Sequence, residues 1–155
     1  MSFNLFSAIR NNDYAGVDTL LKKHPHWVES KDARGYTPLL LASYFGFEDI
    51  TEAILQYPQN LDAQDGSGNT ALMGVCFKGY KNIAALLIEH GADVNVTNFN
   101  GATALIYAAT FGRLDIVKLL VNCGAKTTIK DDRGNTALDH AKMQVKQDVV
   151  QFLES

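Results

Sequence analysis

The segment KHPHW sets His24 and His26 on either side of Pro25, two imidazoles near enough in sequence to share a metal ion. A zinc site needs three or four ligands at supporting spacings, and no third ligand joins this pair, so a proline-shaped loop accounts for the segment better. Trp27 beside them is expected to cover the end of the first structural unit. Cys76 and Cys123 have no C-x-x-C spacing and no base or cation motif that would lower a thiol pKa. Cys76 therefore reads as an inert core residue, and Cys123, just before Gly124, as an exposed idle thiol. His140, Tyr107, Met143 and Cys76 are all types that can ligate haem iron, yet no C-x-x-C-H attachment motif accompanies them. A structural or solvated His140 is the better reading. No nucleophile, base and orienting group share a motif, and no glycine-rich phosphate loop follows a strand. The chain is accordingly not expected to be an enzyme, and nothing in it calls for a cofactor or a metal.

Composition narrows the class further. A chain of 155 residues with 46% hydrophobic content is large enough to bury a core as one domain, spanning 1–155. It has no apolar run long enough to cross a membrane, and MSFNLFSAIRNND lacks the basic, apolar and small-residue sequence of a secretory leader. The net charge is −3 and the cations are scattered, which argues against nucleic acid as a partner. Two unpaired-looking cysteines suit a reducing cytoplasm. These features together suggest a soluble, cytoplasmic chain.

The elements that position these residues follow from a repeat. Thr37, Thr70, Thr103 and Thr136 are each separated by 33 residues, and a fixed period of this length signals stacked repeats. Gly35, Gly68, Gly101 and Gly134 keep the same step, as do Asp32, Asp65, Asn98 and Asp131. Each threonine, with Asn4 in the first unit, is predicted to cap a helix by accepting from an orphaned N–H. Gly46, Gly79 and Gly112 are predicted to end these helices in the left-handed region. The Asp/Asn-x-x-Gly segments read as turns held by the acidic or amide side chain. A second helix in each unit shows apolar columns at i, i+3 and i+4: Val17, Ile50, Ile83, Ile116 and Val149; Leu20, Ala53, Leu86, Leu119 and Phe152; Leu21, Ile54, Leu87, Leu120 and Leu153. The repeats run over about 4–36, 37–69, 70–102, 103–135 and 136–155. In the slot of Ser43, Cys76 and Ala109 the outermost units carry Arg10 and Lys142, the polar faces that terminal repeats need. The array is therefore expected to be complete at both ends.

DARGYTPLLLASYFG, GADVNVTNFNGATALIYAATFGRLDIVKLLVNCGAK and DDRGNTALDHA resemble the ankyrin repeat family and its D-x-x-G-x-T-P-L-H-x-A pattern. The resemblance implies an all-α solenoid of five stacked helix-turn-helix repeats, capped at both ends, with hairpin-like tips projecting to one side. It also implies a role in holding other proteins. The family's histidine after T-P-L is replaced by Leu40, Met73, Ile106 and Asp139, which exchanges a polar tie between repeats for apolar contact. Pro58, Gln59 and Asn60 stand where later units have Gly-Ala-Asp, so that turn should differ locally. ALMGVCFKGY and ALIYAATFGR are similar, more narrowly, to the middle repeats of small free-standing bacterial ankyrin proteins, some of them encoded with haem catalases whose activity they support.

Partners of this family meet the tips and first helices, which together form a concave face. The aromatic and charged residues mapped there are Tyr36, Tyr44, Phe45, Phe77, Lys78, Phe99, Tyr107, Phe111 and Arg133. Clustered aromatics anchor protein interfaces because they bury large areas at small entropic cost. The alternative reading for any single ring is packing across the groove between adjacent first helices. The expected function is non-catalytic binding of one folded protein, with a haem catalase as the candidate partner, by a monomer, although a dimer through the concave face is also open. Two other readings are a carrier that holds haem on His140 or Tyr107, and a cytosolic inhibitor that covers an enzyme's cleft.

Overall fold

The computed structural model describes the backbone of residues 1–155 and every side chain except that of Phe3. Ten α-helices fall into five antiparallel pairs: α1 (Phe3–Arg10) with α2 (Tyr14–Lys23), α3 (Pro38–Tyr44) with α4 (Glu48–Leu55), α5 (Ala71–Lys78) with α6 (Lys81–Glu89), α7 (Ala104–Thr110) with α8 (Leu114–Asn122), and α9 (Ala137–Met143) with α10 (Gln147–Glu154). A 3-10 turn over Pro25–Glu29 follows the first pair, and no strand occurs among the described residues. The first helices α1, α3, α5, α7 and α9 pack side by side in one layer, and the second helices form the other. The core runs lengthwise between the layers: Phe6, Leu39, Leu72 and Leu105 from the first helices meet Val17, Ile50, Ile83 and Ile116 from the second, all buried. Leu138 and Leu153, in the last pair, are only half-buried because no further repeat covers them.

Local chemistry explains the boundaries. The hydroxyls of Thr37, Thr70, Thr103 and Thr136 accept from the backbone N–H of Leu40, Met73, Ile106 and Asp139 at 3.2–3.3 Å, satisfying a donor that the helix start leaves open. At Thr136 the arrangement is reciprocal, since the Asp139 carboxylate accepts from the Thr136 N–H at 2.9 Å. That backbone bond, followed by the threonine hydroxyl, holds the Asp139 carboxyl below its usual range against the opposing effect of burial. The expectation for Asn4 fails: α1 starts at Phe3, and Asn4 lies exposed within its first turn. The left-handed loop residues show why. Gly46, Gly79, Gly112 and Val145 keep the common step, but their counterpart in the first repeat is Asn12, one position early, so the whole first helix is shifted against the repeat. The loop at Pro58–Asn60 also differs, as expected: the Gln59 side-chain amide donates to the Ile54 and Tyr57 carbonyls where later repeats use Gly91 and Gly124 in positive φ.

Neighbouring repeats approach closely over the loop glycines. A Cβ on Gly46 would meet the Tyr80 ring at 2.8 Å, one on Gly79 the Arg113 Nε at 2.9 Å, and one on Gly112 the Lys146 Cδ at 2.9 Å. Each of those side chains comes from the following repeat. Arg113 uses the approach to donate to the Phe77 carbonyl at 3.0 Å, covering the open end of α5. Gly79→Ala should therefore cost at least about 1 kcal/mol for its positive φ, plus the displacement of Arg113. Gly124→Ala, also at positive φ but with open space around it, should cost only the conformational part. Urea unfolding of the two variants checks the order.

Candidate functional site

The concave face is built on four turns with the same wiring. Asp32 Oδ1 accepts from Arg34 and Tyr36 N–H, Asp65 Oδ1 from Ser67 and Asn69, Asn98 Oδ1 from Asn100 and Ala102, and Asp131 Oδ1 from Arg133 and Asn135, all at 2.9–3.0 Å. One oxygen thus closes each turn, and a second polar atom is left for other use. Asp32 gives its Oδ2 to Arg10 at 2.7 Å. Asn98 gives its amide to Asn69 at 2.9 Å and to the Tyr107 hydroxyl at 3.1 Å, and that hydroxyl donates to Asn69 at 3.1 Å. Asp131 Oδ2 meets His140 Nε2 at 2.7 Å. Burial would raise the Asp131 carboxyl, but the N–H groups of Asn135 and Arg133 and the imidazole of His140 outweigh it, so its pKa lies below the ordinary value. Backbone bonds from Phe99 N–H to Ser67 O at 3.1 Å and from Asp132 N–H to Asn100 O at 3.0 Å join the second, third and fourth tips. Among the described residues no such bond joins the first tip to the second.

A groove of about 650 Å³ opens there, between the first two tips and helices α3, α5 and α7. Tyr36, Tyr44, Phe45, Phe77 and Tyr107 line it together with Arg10, Arg34 and Asp65, and Met73 and Gly74 form part of its floor. Tyr44 and Phe45 are each 43% exposed. Lys78 holds its ammonium 4.9 Å from the Tyr44 ring centre, a cation–π distance. Phe77 meets Phe111 edge-on at 4.8 Å and Tyr107 edge-on at 6.5 Å.

A family model of ankyrin repeats in three copies matches residues 5–98, and a model of ankyrin repeats in many copies matches residues 87–141. The chain belongs to the ankyrin repeat family. Among curated proteins the comparison finds no match, so no named relative supports the narrower likeness to catalase-associated bacterial proteins.

On this ankyrin scaffold the residues singled out from the sequence divide into groups. Tyr36, Tyr44, Phe45, Phe77 and Tyr107 share the groove, and Lys78 and Phe111 extend it along Tyr44 and Phe77. Phe99 and Arg133 do not join them. Phe99 is 66% exposed at the third tip with its ring against Gly68, and Arg133 is exposed at the fourth. Tyr107 is only partly available to a partner, since its hydroxyl is bound by Asn69 and Asn98 and only its ring is offered to the groove. His140, one repeat later in the same slot, is likewise turned onto Asp131. His24 stacks on Trp27 with ring centres 4.0 Å apart, and Trp27 packs against the core at that end. Cys76 is fully buried, which pushes its thiol pKa up, and Cys123 is exposed.

Arg10 and Gly74 escaped the sequence reading as groove residues. A signal existed for Gly74: an interior helical glycine costs about 1 kcal/mol against alanine, so it asks for a local reason. Arg10 gave none, because its partner lies 22 positions away.

Tyr107→Phe should lower stability by about 1 kcal/mol in chemical denaturation, because it removes one hydrogen-bond partner from each of Asn69 and Asn98 and leaves them only their bond to each other. Asp131 yields a pH prediction. Its folded-state pKa is depressed, so its stabilising contribution is present above the unfolded carboxylate value near about 4 and is lost as pH falls through the folded value. His140→Ala removes part of that depression, and acid titration of stability should find a smaller loss between about pH 5 and pH 2.5 than in the native chain.

Proposed function

We propose that the chain is a non-catalytic adaptor that binds one folded protein in the groove lined by Tyr36, Tyr44, Phe45, Phe77 and Tyr107, acting as a monomer in the cytoplasm. Ankyrin repeats are generally protein–protein interaction modules. The observation that carries the specific reading is the pair Tyr44 and Phe45, two aromatic rings left 43% exposed side by side at the mouth of a groove although the stack does not use them to bury its core. Aromatic anchors with satisfied polar neighbours are the usual centre of a protein interface. No helix among the described residues is long and apolar enough to cross a membrane.

A haem catalase is the candidate partner, on the strength of the likeness of ALMGVCFKGY and ALIYAATFGR to the catalase-associated bacterial proteins. An inhibitor that covers an enzyme's cleft would use the same groove. Haem carriage has less support, because the Tyr107 hydroxyl and His140 Nε2 already have partners. The test is affinity capture from source cells, comparing the native chain with the Tyr44→Ala/Phe45→Ala double variant. Both rings are accessible, so the variant should keep its melting temperature while its affinity for the partner falls by about 2 kcal/mol or more, roughly 30-fold. Recovery of a catalase by the native chain alone would support the accessory role, and equal recovery of every protein by both would remove the groove from consideration.

A further inference from the structure

The wiring of the four turns has one gap. Asp32, Asn98 and Asp131 each give their second polar atom to a side chain of the stack, Arg10, Tyr107 and His140 respectively. Tyr107 and His140 stand nine positions after their turn residue. Nine positions after Asp65 stands Gly74, which has no side chain to offer. Asp65 spends Oδ1 on the N–H groups of Ser67 and Asn69, and no donor among the described residues reaches its Oδ2. The carboxylate faces the groove, where Tyr44 leans over Gly74 and Tyr107 forms the opposite wall.

We infer that the notch over Gly74 receives an arginine side chain of the protein partner, with Asp65 as its counter-ion. This rests on the adaptor reading and names the chemistry of what that groove takes. The charge pattern selects a cation. Arg10 is neutralised by Asp32, which leaves Asp65 as the unpaired anion lining the groove. Arg34, the exposed cation on the first tip, steers an incoming basic group away from that tip and toward the second. Shape and surroundings select arginine within the cations. A planar guanidinium donates to the free carboxylate oxygen while its face lies against tyrosine, which a compact ammonium does less well. Inside the chain, Arg10 on Asp32 shows the same turn position already accepting a guanidinium at 2.7 Å.

The experiment is an NMR titration of the full chain with Nα-acetyl-arginine amide, with the citrulline amide as the uncharged analogue of equal shape. Saturable shifts of the Asp65, Asn69 and Gly74 amides are expected, with a dissociation constant on the order of 1 mM for so small a probe. The citrulline amide should bind at least about ten-fold more weakly. Asp65→Asn should weaken the arginine probe by a similar factor without unfolding the turn, because Asn98 holds the equivalent turn with the same two N–H bonds. Gly74→His, which supplies the in-chain partner that His140 gives Asp131, should also abolish the shifts. Equal shifts from both amides, or shifts indifferent to Asp65→Asn, overturn the inference. If the Tyr44/Phe45 double variant loses the cellular partner and Asp65→Asn retains it undiminished, the arginine site falls while the adaptor reading stands. Retention by both variants overturns the two together.

Discussion

Neighbouring first helices lie so close that one slot on each has room for only a few atoms. Ser43, Cys76 and Ala109 fill it, each fully buried, and the serine turns its hydroxyl back onto the Leu39 carbonyl at 2.6 Å so that no polar group is stranded. A helix pair of this length cannot enclose a core alone; its apolar face is covered only when the next pair comes this near. The loop glycines follow from the same requirement, because the side chains of Tyr80, Arg113 and Lys146 reach across onto Gly46, Gly79 and Gly112. The slot also explains the ends. Arg10 and Lys142 are exposed because no further helix arrives on their sides.

That dependence on a repeated distance is why so much of the fold was legible in the sequence. A constraint imposed on every unit writes the same residue types at the same step, and the threonine caps, loop glycines and apolar columns all lie where the period puts them. The exception is also physical. Asn4 does not cap and Asn12 takes the loop glycine's place one position early, because α1 starts at Phe3, ahead of the position the period gives it. The groove was legible only in part. Tyr36, Tyr44, Phe45 and Phe77 could be assigned to one face from the 33-residue step and the concave face that the family resemblance implies, and they share a groove. That Tyr107 is held by Asn69 and Asn98 could not be read, because Asn98 belongs to the preceding repeat, Asn69 to the one before it, and neither asparagine lies on its helix. The separation of Phe99 from the groove depends likewise on how successive tips are bonded, which no spacing within one repeat records.

Turns and first helices are linked by polar atoms left over from closing the turns, and this link decides which concave residues are free to vary. The hydroxyl of Tyr107 and the imidazole of His140 are different chemistries at one slot, yet each answers the spare polar atom of its turn. The slot is therefore open to several residue types but constrained in what their tips must do. It follows that a concave residue's type alone is a poor guide to whether it is offered to a partner. Tyr44 and Tyr107 are both groove tyrosines, and only the second has its hydroxyl bound within the fold.

Because each repeat touches only its neighbours, the consequences of breaking this link stay local. Gly74 gives up a side-chain tie and adds the conformational cost of a helical glycine, but Thr70 still caps α5 and Arg113 still covers its far end. The buried pair Leu72 and Cys76 is untouched, since it lies on the opposite face of the same helix. A globular core would spread such a defect through its packing, whereas a stack confines it to one turn and one helix. That confinement lets a concave slot depart from the pattern of its neighbours while the layers on either side keep their register.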